Sequence, residues 1–137
     1  MAYINQNNFT QSFKLGTSIA ATTGSQFRAV YLSTDNTVDL PVASSSTIGA
    51  FVPIGICATY QSTGSGTVNV VLHGITKGIA GSGIAAGSRV VALTNGSLSS
   101  ITAACFTTTC VSVGIALEAA STGSYFTVLV RPEYVTA

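Results

Sequence analysis

Hydrophobic and polar residues alternate along several short segments of the chain. Such a period of two is typical of a β-strand that buries one face. It is clearest at residues 111–117, where apolar side chains alternate with small or polar ones, and it recurs at residues 54–60, 68–72 and 126–130. β-branched and aromatic side chains dominate these segments, as strands prefer. The pattern therefore predicts a half-buried strand in each of them.

Turn-forming residues separate the predicted strands at short intervals. Asn95-Gly96 is a strong signal for a two-residue hairpin loop, because both residue types accept a positive φ angle. Asp35-Asn36 lies in the corresponding place 60 residues earlier. We expect a tight hairpin at each position.

The chain contains an internal repeat. Residues 54–65 return 59 positions later as residues 113–124, with identical residues at six of the twelve positions. Followed outward, the repeat aligns the segment that begins at Arg28 with the one that begins at Arg89. We expect one repeat over residues 13–72 and a second over residues 73–131, folded alike and related by a pseudo-twofold.

Closely spaced strands with turns between them predict an all-β fold, a sandwich or a barrel. Gly, Ser and Thr interrupt every candidate helix, and at most one short helix fits, near residues 99–106. A chain of 137 residues is short for two cores. We therefore expect a single β domain over residues 13–137, in which both repeats share one core.

Charge is scarce, which narrows the classes of partner. Only 7% of the residues are charged while the mean hydropathy is +0.54, and a surface this poor in charge tends to associate. The five basic residues are scattered singly and the net charge is +1, so no basic stripe is available for phosphates and a nucleic-acid partner is not expected. No apolar run is long enough to span a bilayer, and no membrane partner is expected.

The start of the chain and the cysteine count indicate the compartment of synthesis. Residues 1–12 lack the cationic and apolar regions of a secretory signal, which predicts synthesis in the cytosol. The odd count of three cysteines, Cys57, Cys105 and Cys110, fits a reducing compartment. We expect small buried thiols rather than a disulfide framework.

Candidate catalytic groups are few. His73 is the single histidine, and beside Gly74 it is expected in a turn, without a nucleophile or an orienting carboxylate at a suitable spacing. The cysteines and His73 supply neither the number nor the spacing of ligands that a zinc site needs. The sequence thus predicts no enzyme, no cofactor and no metal site.

Two features stand out as candidates for binding. Residues 1–12 are rich in Asn and Gln and carry isolated apolar side chains, which is typical of an extended arm, with a frayed tail as the alternative. Tyr3, Ile4 and Phe9 are its candidate binding residues. Arg28 and Arg89, aligned by the repeat, are candidate subunit contacts because the planar guanidinium suits interfaces; the alternative is a charge that protects an edge strand.

Several short motifs, taken in order, resemble the capsid decoration (cement) proteins of tailed bacteriophages. The segments that carry this resemblance are residues 74–80, 84–90, 95–96, 113–116 and 121–124. It implies a compact β-rich domain on the outer face of the head, commonly a trimer, that binds the major capsid protein and cements neighbouring subunits. On this reading the arm would add a strand to a sheet edge of the coat protein.

A second class of function fits the same composition. Fibre, spike and adhesin modules that bind a host glycan or receptor are also β-rich and rich in Ser, Thr and Gly. Sugar sites usually present stacking aromatic side chains, and this chain has no Trp. Tyr31, Tyr60 and Tyr125 are the remaining candidates for such a site.

Overall fold

The described part of the chain is built from β-strands. The computed structural model describes residues 8–16, 26–41, 52–58, 66–101 and 110–135. Within these ranges the helical structure is a single 3-10 turn, Thr94–Gly96, so the predicted all-β class is confirmed. The strands, in chain order, are β1 (Phe9–Leu15), β2 (Ala29–Thr34), β3 (Thr37–Asp39), β4 (Pro53–Cys57), β5 (Thr67–Ile79), β6 (Arg89–Ala92), β7 (Leu98–Ser100), β8 (Cys110–Ala116) and β9 (Tyr125–Val135).

The first five strands close into a barrel. Their hydrogen-bonded order is β1-β3-β2-β4-β5, and β1 pairs with β5 as well as with β3. β1 runs parallel to β3, whereas the other neighbours are antiparallel, so the barrel is mixed. Of the two architectures expected from the sequence, the structure has the barrel, which closes where β1 pairs with both β3 and β5.

Four further strands extend from the second half of β5. Residues 67–73 of β5 pair with β1 and β4, whereas residues 74–79 pair with β9. From β9 the order continues through β8 and β6 to β7. A parallel bridge links Ala80, the residue directly after β5, to Leu98 in β7. β5 therefore belongs to both groups of strands, and the boundary expected between the repeats, after residue 72, falls inside it.

Buried side chains join the two groups of strands. One cluster fills the barrel around Val30, Val38 and Val68. A larger cluster combines Ala29, Ile56 and Val71 of the first group with side chains of the second group, among them Phe126, the largest fully buried one. The hydrophobic interior is thus continuous across the two groups, and the described strands form a single packed unit.

β8 departs from the predicted half-buried strand. Its small residues Ser112, Gly114 and Ala116 are buried together with Val113, so both faces of the strand are covered. The pairing with β9 shifts register between Ser112 and Gly114. The extra residue of this bulge lies in β9, where two residues face the single Val113 of β8. The small residues of β8 are buried because both faces of the strand are covered, which the alternation in the sequence does not indicate. Leu117, expected on the buried face, is exposed just beyond the strand end.

The turn at Asn95-Gly96 joins β6 to β7 as expected but has a longer loop. Both residues adopt positive φ angles, 68° and 83°. The Leu93 N–H donates to the Ser97 carbonyl at 2.7 Å, which leaves three residues in the loop instead of the predicted two. The first turn is the tighter one: Thr34 pairs directly with Thr37 around Asp35-Asn36.

Of the short helix considered at residues 99–106, Ser99 and Ser100 lie in β7, and residues 102–109 lie outside the described residues.

Candidate attachment surface

The first half of β1 is exposed on both of its faces. Thr10, Gln11 and Ser12 are all exposed, as is Phe9 at 61%, and the first buried side chain of the strand is Phe13. The segment is nevertheless held against β5 by antiparallel pairing, with a shift of register between Phe9 and Thr10. It therefore forms an ordered strand that the core does not cover.

Asn8 anchors the start of this strand through its side chain. Its Nδ2 donates to the Ile75 carbonyl at 2.8 Å, and its Oδ1 accepts from the Ile75 N–H at 2.9 Å. The neighbouring Gly74 has a φ of +135°, and a Cβ at that position would collide with the Asn8 side chain. The side-chain amide of Asn8 thus makes the two hydrogen bonds to Ile75 that a backbone residue of a neighbouring strand would make. It does so where the pairing of β5 with β1 ends and its pairing with β9 begins.

One edge of the exposed half of β1 faces away from β5. The N–H groups of Lys14 and Gly16 donate to Asn36 and Val38 carbonyls on the β3 side, each at 2.8 Å. Because N–H groups alternate along a strand, those of Thr10 and Ser12 point to the same side. Among the described residues, pairing on this side of β1 begins only at Lys14. Residues 9–13 therefore present a row of backbone donors and acceptors to which another strand can be added.

The structure changes the extent of the expected N-terminal arm. Residues 9–12, assigned to the arm from the sequence, form part of β1, and Phe9 lies opposite His73. Tyr3 and Ile4 lie outside the described residues. Of the three candidate binding residues, Phe9 is therefore the one with a known position, on an exposed strand of the barrel.

Both candidate arginines are engaged within the chain. Arg28 donates from Nη1 to the side-chain oxygen of Asn95 at 3.0 Å and to its carbonyl at 3.2 Å. Arg89, at the exposed start of β6, has Nη2 at 3.5 Å from Glu133 Oε1. Arg28 thus connects the start of β2 to the β6–β7 turn, whereas Arg89 makes a local ion pair with β9.

The two arginines do not occupy equivalent strand positions, contrary to the alignment of the repeat. Val30 lies opposite Gly55 and Val90 lies opposite Gly114, so Ala29, and not Arg28, holds the place of Arg89. A shift of one residue along a strand turns the side chain to the other face. The spacing of 61 residues between the arginines, against 60 between the valines, conceals this shift in the sequence.

Strand pairing also brings together charges that are far apart in the chain. Glu118 accepts hydrogen bonds from the N–H and the hydroxyl of Thr127, at 2.8 and 3.1 Å, and lies 3.8 Å from Lys77 Nζ. The two hydrogen bonds from Thr127, assisted by the Lys77 charge, lower the pKa of Glu118. The sequence separation of Lys77 and Glu118 gave no signal of this contact. It arises because Lys77 in β5 lies opposite Thr127 in β9.

The remaining candidates for chemistry lie apart from one another. His73 is exposed in the middle of β5 rather than in a turn. Cys57 and Cys110 are both buried, and Cys105 is outside the described residues. Within the described ranges, no group of three or more His, Cys, Asp or Glu side chains could hold a metal ion. The same ranges contain no helix with the length and hydropathy needed to cross a membrane.

The fold resembles a known component of a phage head. The crystal structure of the N base of the head fibre protein gp8.5 of bacteriophage phi29 matches this chain with a TM-score of 0.62. The match covers 90% of this chain and 95% of that one, at 18% sequence identity. No family model and no curated protein matches the sequence. At this identity the likeness shows a common fold over nearly the full length of both chains.

Proposed function

We propose that this protein is a structural component of a bacteriophage head, bound to the outer surface of the shell. The observation that carries the proposal is the fold shared with the phi29 head fibre base over 90% of the chain. The motifs that resemble phage decoration proteins, taken from the sequence alone, support the same location. Decoration proteins and a head fibre base have attachment to the phage head in common, so attachment is the main proposal. We propose in addition that the protein cements neighbouring subunits of the shell.

The exposed half of β1 suits attachment by strand addition. An extended segment of the major capsid protein would pair with the free edge at residues 9–13 and accept hydrogen bonds from the N–H groups of Thr10 and Ser12. Phe9, 61% exposed, would fill a pocket on that partner. Tyr3 and Ile4, in the preceding segment, would add further contacts.

Self-association is part of the proposal. The low charge of the chain, 7% of its residues, supports a homo-oligomer, and we propose a trimer with Arg28 and Arg89 among the subunit contacts. Several copies on one shell would reinforce each other's attachment through effective concentration.

Proline substitution on β1 tests the attachment surface. In Thr10→Pro/Ser12→Pro the two outward N–H groups are lost, but the backbone bonds to β5 remain, because proline is tolerated where the N–H of an edge strand faces solvent. The bond from the Ser12 hydroxyl to Asn69 is lost as well. Cosedimentation with purified shells of the parent phage should show binding by the wild type and at least a tenfold loss in this variant. Thr10→Ala/Ser12→Ala keeps both N–H groups and is the matched control.

Folding of the proline variant is checked by circular dichroism and thermal unfolding. A folded proline variant that binds shells as tightly as the wild type would rule out strand addition at β1. Absence of binding by the wild-type protein would overturn the proposed function itself.

We also propose that the two groups of strands are copies of one unit. Corresponding backbone bonds support this: Phe27 N–H donates to Cys57, as Gly87 N–H donates to Ala116, and Gly16 N–H donates to Val38, as Gly81 N–H donates to Leu98. Both Phe27 and Gly87 have positive φ angles, 68° and 84°. In this scheme β1 to β5 correspond to the second half of β5 and to β6, β7, β8 and β9.

Exchange of a turn between the copies tests this idea. Asp35→Asn/Asn36→Gly places the Asn-Gly of the second turn in the first, where Asn36 has a φ of 54°. We expect a folded protein of equal or greater stability, since glycine relieves the positive φ. Loss of folding, seen by circular dichroism, would contradict the correspondence.

A further inference from the structure

One face of the sheet between β5 and β9 combines aromatic and charged side chains. Ile79 lies opposite Tyr125 and Lys77 lies opposite Thr127. The intervening Gly78 and Phe126 are buried toward the core. Since side chains alternate between the two faces of a strand, the outer face carries the other four residues, which are Lys77, Ile79, Tyr125 and Thr127.

Tyr125 is the prominent side chain of this face. It is 60% exposed, although its ring centroid lies 5.4 Å from that of Phe27 in an edge-on contact of 76°. An edge-on neighbour orients an aromatic ring without covering both of its faces. Tyr125 therefore presents a ring that is held in position and open to a ligand.

The backbone of Phe27 is strained at this place. Its φ is +68°, a region that bulky residues rarely adopt, and in the corresponding hydrogen-bonded position of the second group of strands the residue is Gly87. Strain of this kind persists where the surroundings hold it and is frequent at ligand sites. Phe27 makes an aromatic contact with Tyr125 that a glycine at this position could not make.

Hydrogen-bonding groups lie next to the ring. Lys77 Nζ and Glu118 Oε1 are 3.8 Å apart, and both side chains are about half exposed. The ammonium group has three donors, and the second carboxylate oxygen of Glu118 has free acceptor sites. The Lys77 donor and the Glu118 acceptor thus lie at the cross-strand pair next to that of Tyr125. Their opposite charges cancel.

We propose that Tyr125, Phe27, Lys77 and Glu118 form a binding site for a neutral saccharide unit. A sugar ring has an apolar face that stacks on an aromatic ring and hydroxyl groups that exchange hydrogen bonds with a donor and an acceptor beside it. Lys and Glu are depleted in protein–protein interfaces, so their presence next to the ring favours a small polar ligand over a protein partner. The balanced charges favour a neutral sugar over an anionic one.

The test uses the full chain and a matched tyrosine variant. An array of neutral oligosaccharides of glucose, galactose, N-acetylglucosamine and N-acetylgalactosamine, with sialylated glycans for comparison, identifies a ligand. Isothermal titration calorimetry then gives its Kd, because the heat of binding can be measured equally in a variant that lacks the tyrosine. We expect Tyr125→Ala to weaken binding at least tenfold. Tyr134→Ala, which removes another exposed tyrosine of β9 (69%), should leave the Kd within twofold.

The outcomes separate this site from the attachment surface. Binding of no neutral glycan on the array, a preference for sialylated glycans, or equal losses in the two tyrosine variants would overturn the proposal. So would loss of shell binding in Tyr125→Ala with its glycan affinity unchanged, since the ring would then serve a protein contact. Thr10→Pro/Ser12→Pro should retain glycan binding whatever its effect on attachment.

Discussion

Arg28 and Asn95 are 67 positions apart in the chain and are joined by two hydrogen bonds from a single guanidinium nitrogen, at 3.0 and 3.2 Å. The Asn95 N–H donates in turn to the Pro41 carbonyl at 2.8 Å. The β6–β7 turn of the second group of strands is thereby fastened to the start of β2 and the end of the β3 region in the first. This contact supplements the shared core in holding the two groups together.

Removing the guanidinium should weaken that connection. Arg28→Met keeps most of the side-chain length but loses both bonds to Asn95, and we expect the free energy of unfolding to fall by about 1 kcal/mol. Urea denaturation measures the change. Arg131→Met, which alters an exposed arginine on β9, is the control and should stay within about 0.5 kcal/mol of the wild type. Equal effects of the two substitutions would show that the Arg28 contact contributes nothing specific.

The close approach of the same turn to β2 can be measured separately. A Cβ on Gly96 would lie 2.5 Å from the Ala29 carbonyl oxygen, whereas one on Gly123 would meet nothing within 4 Å. Their φ angles are nearly equal, +83° and +86°. Gly123→Ala should therefore cost roughly 1–2 kcal/mol from backbone strain alone. Gly96→Ala should cost clearly more in the same urea experiment, and equal costs would contradict the close packing.

Asn8 should determine where β1 begins. Asn8→Ala loses both bonds to Ile75, and we expect a loss of about 1–2 kcal/mol in unfolding free energy together with faster hydrogen exchange at the Ile75 amide. Ser12→Ala removes an exposed bond to Asn69 and is the control, with little change expected. Unchanged exchange at Ile75 in Asn8→Ala would contradict the anchoring role.

The ionised Glu118 should stabilise the fold in a pH-dependent manner. Its pKa is lowered in the folded state from its ordinary value of 4.5, so the stabilisation is present above that value and is lost as the pH falls through the folded-state pKa. Glu118→Gln should be less stable than the wild type at pH 7, and the difference should vanish in strongly acidic solution. Urea denaturation at several pH values checks this, and a difference independent of pH would contradict it.

The alternation of apolar residues and the turn signals were enough to predict an all-β fold and most strand positions, because these depend on residues two to five positions apart. The exclusion of metal and catalytic motifs and the scarcity of charge are likewise properties of composition and spacing. The Asn36 and Asn95-Gly96 turns have the positive φ angles that their residue types predict.

Only the tertiary structure decided which side chains are covered and which are free. Both faces of β8 are covered, which buried the residues expected to face solvent, and the one-residue shift between Arg28 and Arg89 separated two positions that the sequence aligned. The membership of residues 9–12 in β1, the Lys77–Glu118 pair and the Phe27–Tyr125 contact all depend on partners 41 to 98 positions away. Such contacts are set by strand register across the sheet, which the local pattern does not encode.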